Sequence, residues 1–304
     1  MATRSSKQLQ DSDYANPASL ALHEFLRVAG ESVFNLNTII VGLAAVEDGK
    51  AAKPESLHIS WDPKDRIAAA RKARKAAIHA QMVEVVEAIN QYVQSVTKLP
   101  KYSHFNDLWR ENKTSMADRL GEFANLVLST SSANQLDEES KTESAYLISG
   151  AKLLMHWRNR HVHSSSNASL EHHELKALEN SKERIAEKYS ALEVDRLLID
   201  FTSGQPSLKD ASSLMAMTVR LIRRLDRCLY DCKSWADVQA WLKAYELDAE
   251  IEKVSRETAP DRRSASIRKL LHTRAPQLEH LYFEFQESPK AGEQQNELGS
   301  YSTR

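Results

Sequence analysis

"HWRNRHVHSSS", residues 156–166, places three histidines, two arginines and an asparagine within eight residues. Ahead of it Ala145, Ile148, Leu153, Leu154 and Trp157 form an apolar stripe at helical spacing, which predicts a helix from about Thr142. Trp157 closes that stripe and three serines follow, so the backbone is expected to leave the helix between Arg160 and Ser164. Core packing does not call for so polar an ending. It fits either a solvated helix end, with cations near the negative end of the dipole, or a catalytic segment. On an unbroken helix Arg158 and His163 lie about 140° apart. Their convergence therefore needs the helix to fray, or a second chain to supply the partner groups.

Helical periodicity continues on both sides of this stretch. Residues 18–47 carry Leu22, Leu26, Ala29, Val33, Leu36, Ile40 and Leu43 every three to four positions, and "AAKPESLHISWDPKD" after them reads as a connector. A second helix is predicted from Asp65 to Leu99, before Pro100. Its first half is basic and alanine-rich, and its second half offers Met82, Val85, Val86, Ile89, Tyr92, Val93 and Val96 to a core. "YSHFNDLWRENKT" and "STSSANQLDEESK" read as linkers around a short helix at 115–128. Beyond the motif, Ser169 is a plausible N-cap for one helix through Leu198, where "TSGQP" soon breaks the pattern. Further helices are expected at 208–230, 234–255 and 264–285. No segment alternates as a strand does, and no repeat is found, so the expected class is all-α, a multi-helix bundle. The expected organisation is a polar tail at 1–17, an N-terminal helix and connector at 18–60, a main helical domain at 61–233, a C-terminal helical extension at 234–287 and a second tail at 288–304.

With 304 residues the chain can bury a substantial core, and only 8 Gly and 8 Pro suit a helical protein with little turn chemistry. The net charge of −1 means that nucleic-acid binding would have to come from local basic patches. Cys228 and Cys232, four apart on one helical face, suit neither a disulfide nor a zinc site without further ligands, and read as thiols in a reducing compartment. The most apolar run, residues 38–46, is about half a membrane span, and the N-terminus shows no apolar signal core. A cytoplasmic protein without a membrane partner is expected.

The motif resembles that of the HEPN superfamily, helical domains marked by Arg, four to six residues, then His, often with Asn after the Arg. Here Arg158, Asn159, three intervening residues and His163 match, and the resemblance extends over the helices of about residues 62–233. It implies a metal-independent endoribonuclease without a cofactor, acting as a toxin or antiviral effector, with two motifs meeting across a homodimer. In such a site His163 would move protons near neutral pH, with His161 as second choice because it shares a face with Arg158. Arg158 would bind the scissile phosphate and Asn159 would hold the loop or the imidazole. A polar residue on an earlier helix sometimes supports the site, and Glu84 and Glu87 are both placed for that.

Basic residues supply an RNA surface in this reading. Lys64, Arg66, Arg71, Lys72, Arg74 and Lys75 share one helix segment, Arg160 lies within the motif, and Arg220, Arg223, Arg224 and Arg227 share another helix. The same runs equally describe solvated faces. Trp61 and Trp109 are candidates for stacking bases or for the core. His172 and His173 with Glu171 and Glu174 hint at a metal, but adjacent helical histidines point apart, so no metal is expected. Because the sequence has no GxxxxGK[ST] loop, a sensor or antitoxin partner is expected instead. The competing readings are an inactive HEPN-like subunit that binds RNA or nucleotide or serves assembly, and a structural helical scaffold.

Overall fold

A computed structural model describes residues 18–287, apart from 99–101, 111–113, 131–136, 164–165, 231 and 258. The tails expected at 1–17 and 288–304 lie outside the described residues, as do Pro100, Ser164 and Ser165. Among the described residues all regular structure is helical, as the periodicity predicts.

The centre of the fold is α5 (Glu138–Val162), which runs into the motif. Residues 146–157 are buried without a break, so this helix is enclosed on every side rather than amphipathic. Around it pack α2 (Arg66–Thr97), α4 (Met116–Thr130), α6 (His172–Glu179) and α9 (Leu208–Leu229). Gly150 lets α9 approach closely, since a Cβ there would lie 2.5 Å from Met217 Cε. Asp137 caps α5 by accepting from the Ser140 N–H at 2.8 Å, so the helix starts at Glu138, four residues before the expected Thr142.

α1 (Leu20–Glu47) packs along α2 and reaches α9. Its N-cap Ser19 gives its backbone N–H and hydroxyl to buried Asp226 of α9, which also accepts from the Tyr92 hydroxyl at 3.2 Å. Burial raises the Asp226 carboxyl above the usual range against the pull of these donors. At 28 residues α1 is long and apolar enough to cross a membrane by length and composition, and it alone passes that test among the described residues. In the fold it buries Leu22, Phe25, Ala29 and Leu36.

Several expected elements are divided or added. "SHFNDLWR", read as linker, is α3 (Ser103–Arg110), with buried Phe105 and Trp109. The single helix expected from Ser169 to Leu198 is instead α6, α7 (Lys182–Lys188) and α8 (Val194–Ser203). Its cap is Glu171 in a capping box with Glu174, not Ser169. The chain turns at Ser190 and Ala191, both left-handed at φ 55° and 59°, a backbone state that no propensity of serine or alanine announces. The helix expected at 234–255 is α10 (Trp235–Ala244) and α11 (Asp248–Ser255), divided at left-handed Glu246. The last is α12 (Pro260–Arg274) and α13 (Pro276–Glu287), divided at Ala275 (φ −155°, ψ 64°), which leaves the helical region before Pro276. α13 packs on α10 and α12.

Candidate functional site

α5 stays helical through Val162, and His163 is its C-cap, with extended backbone (φ −119°, ψ 102°) and its N–H bonded to Asn159 O at 2.8 Å. The departure falls within the predicted interval. Arg158 and His163 thus keep a helical offset of about 140° within one chain. Arg158 donates to Asn159 Oδ1 at 3.1 Å, while its buried Nε has no partner. His161, Val162 and His163 are exposed.

Arg160 has a structural task that the sequence reading missed. Its Nε donates to Ala168 O at 2.8 Å, another guanidinium N–H reaches Phe201 O at 3.3 Å, and its centre stands 3.9 Å from the Phe201 ring centroid. It clasps the loop after α5 to α8. Burial lowers its pKa, though an arginine remains charged. Trp157 meets the same Phe201 edge to face at 5.5 Å.

Between α2 and the end of α5 lies an open cleft of about 420 Å³. Lys72, Lys75 and His79 come from α2 at i, i+3 and i+7, hence from one face, and Trp157, Arg160 and His161 come from α5. Ala76 and Gly204 complete the lining, and no carboxylate is among the described lining residues. The His79 and His161 rings stack with centroids 3.8 Å apart. Burial, then the neighbouring His161 and Lys75, push the His79 pKa down to about 4, so this ring is neutral at pH 7. Its buried Nε2 has no partner, and neither does the buried Nε1 of Trp157. Nothing in the sequence alone pairs His79 with the motif, since 82 positions of chain order separate it from His161; the one available signal was its i+4 spacing from Lys75 on a basic helix.

One turn before the cleft, buried Lys152 joins Asp118 of α4 at 2.8 Å and Glu174 of α6. His156, buried with both ring nitrogens unpartnered, has a pKa lowered chiefly by burial. Glu174 is therefore held within a buried ion cluster, and His173 lies beside Glu171 at 3.3 Å on the surface.

The remaining candidates are dispersed. Arg74 pairs with Glu47 at 2.9 Å, stapling α2 to α1. Arg220 and Arg224 both reach Glu143, at 2.9 and 3.2 Å, where Lys188 also binds. Burial acts to raise the Glu143 pKa, but these cations hold it below the usual range. Arg71, Arg223 and Arg227 are exposed, as are Lys64 and Arg66, and Arg66 lies 5.9 Å from the Trp61 ring centroid. Ser32 of α1 donates to Glu84 at 2.7 Å, and Asn90 donates to Glu87 at 3.3 Å. Trp109 is buried, with its indole N–H on Asn90 Oδ1 at 2.8 Å, so it belongs to the core and does not stack bases. Cys228 and Cys232 are half-buried against the core. The structure thus brings Lys72, Lys75, Arg160 and His161 together and leaves the second arginine group apart.

No family model, no curated protein and no solved structure matches this chain. The HEPN resemblance rests on the motif and on the helices around it.

Proposed function

We propose that the protein is a metal-independent endoribonuclease of HEPN type, a toxin or antiviral effector acting in the cytoplasm. The observation that carries this reading is the position of the motif: Arg158, Asn159 and His163 sit at the exit of the central helix, which also walls a cleft of cationic side chains without a carboxylate. In the proposed reaction His163 accepts the proton of an RNA 2′-hydroxyl, and that oxygen attacks the adjacent phosphorus. The P–O5′ bond breaks, leaving a 2′,3′-cyclic phosphate, and the 5′-oxygen takes a proton from the corresponding histidine of a second chain. The Arg158 fork binds the phosphate oxygens on which charge builds, and Asn159, already bonded to Arg158, holds the fork in place. Two motifs facing each other across a two-fold axis supply both base and acid, which answers the helical offset of Arg158 from His163. A sensor or antitoxin partner would restrain the activity.

That same offset favours one second reading, an inactive relative that binds RNA or nucleotide without cutting it. Total RNA incubated with the purified chain, with and without EDTA, separates the two. EDTA-resistant fragments ending in cyclic phosphate are the expected result. Retention without fragments would replace the first reading with the second, and neither outcome would leave a helical scaffold.

A further inference from the structure

We infer that the cleft between α2 and the end of α5 is a phosphate seat, which takes a phosphate ester of the RNA strand through Lys72, Lys75, His161 and the indole N–H of Trp157. The inference rests on the ribonuclease reading for the identity of the strand, and on the cleft alone for the phosphate.

The lining is one-sided in charge. Two lysines from α2 and Arg160 from α5 face the same opening, with no acidic side chain among the lining residues to neutralise them. Its volume of about 420 Å³ lies in the range of small-ligand sites. Two buried polar atoms there also lack partners. Trp157 is 1% exposed and His79 4% exposed, yet Trp157 Nε1 and His79 Nε2 make no hydrogen bond while both residues line the cleft. Buried polar atoms are rarely left so; an anion in the cleft would accept from the indole N–H, and from His79 Nε2 in the tautomer that carries its proton there. The other buried indole, Trp109, has its N–H bonded to Asn90, whereas buried His156, which does not line the cleft, also lacks partners.

The donor set suits an anion held by point charges from several sides. A planar arginine fork would grip a carboxylate or a phosphate bidentately, but the fork of Arg160 is spent on the Ala168 and Phe201 carbonyls and on the Phe201 ring. What remains is two mobile point charges on one wall and ring N–H donors on the other, a spread arrangement that suits a tetrahedral dianion or a diester with oxygens on several sides. The stacked His79 and His161 rings close one flank with an aromatic edge. Arg160 contributes a fixed positive charge, and Gly204 leaves the lining open because it carries no side chain.

The test follows the Trp157 indole N–H by proton–nitrogen NMR on the full chain, its signal assigned with Trp157→Phe. Adenosine 5′-monophosphate, and a short 2′-O-methyl RNA that cannot be cut, are expected to move that signal, orthophosphate to move it at higher concentration, and adenosine to leave it in place. Lys72→Glu/Lys75→Glu, a change of two exposed side chains, should weaken binding of the monophosphate by at least tenfold and keep the helical circular dichroism. An unmoved indole signal at millimolar monophosphate, equal binding of adenosine, or unchanged affinity in the double variant would overturn the seat. The two readings fail separately. A seat that binds the monophosphate in a protein that leaves RNA intact removes the ribonuclease. RNA cut by a wild-type protein that binds no monophosphate, and cut at the same rate by the double variant, removes the seat.

Discussion

His161 and His163 stand two positions apart, both exposed but in different surroundings, one stacked on buried His79 at the cleft and one at the C-cap. If His163 moves the proton and His161 helps to seat the strand, His163→Ala should abolish RNA cleavage, while His161→Ala should raise KM and leave kcat within a few-fold. Equal loss of kcat in both variants, with unchanged circular dichroism, would sink that division. Arg158→Lys should be nearly as inactive as Arg158→Ala, because an ammonium cannot reproduce a planar fork on phosphate. A lysine variant at near wild-type rate would show that charge alone suffices. The neutrality of His79 adds a stability effect. Its folded pKa of about 4 lies below an unfolded value near 6.5, so the unfolded chain binds more protons between them. Stability is therefore full above about pH 6.5 and falls as the pH drops toward 4, with His156 acting in the same direction. Urea unfolding should show about 2 kcal/mol lost to His79 between pH 7.5 and pH 5, and His79→Gln should flatten that part of the slope.

At the scale of elements, the position of α5 depends on its buried ion cluster as well as on its apolar surface. Lys152 links α5 to α4 through Asp118 and to α6 through Glu174, and Glu174 also accepts from the Glu171 N–H that starts α6. Taking away the lysine strands Glu174 in the interior, so Lys152→Met should cost about 3 kcal/mol, read as a lower urea midpoint. Lys152→Met/Glu174→Gln should recover part of it, since a neutral amide can still cap the helix. A single variant as stable as wild type would mean that water already reaches the cluster. α2 joins two roles along one helix. From Ile78 onward its second half buries one face in the core, while Lys72 and Lys75 lie on its largely exposed first half and supply the cleft.

For the whole molecule the assembly prediction follows from geometry. One chain offers a single Arg158 fork and a single His163, set apart around the helix, and a two-fold axis would bring a second set opposite them. Mixing inactive His163→Ala chains with wild-type chains tests this: a composite site loses activity faster than the wild-type fraction falls. A linear decline, or a monomer by light scattering that still cuts RNA, would refute the dimer.

The all-α class was legible from periodicity alone, because i, i+3 and i+4 apolar spacing reports local backbone geometry that each segment carries in itself. The starts of α2 near Asp65 and of α9 at Leu208, and the end of α5 near the serines, were legible for the same local reason. The breaks at Ser190, Ala191 and Glu246 were not, since left-handed backbone at such residues is imposed by the packing of the helices on either side. Nor was the division of labour among the basic residues. Sequence places Arg74, Arg160, Arg220 and Arg224 beside other cations on their helices. Only the tertiary structure sets Glu47, the Ala168 and Phe201 carbonyls and Glu143 against them, and leaves Lys72 and Lys75 facing His161. The motif is a property of consecutive residues and could be read directly; the cleft is a meeting of helices 82 positions apart, and that distance in space is set by the burial of α5.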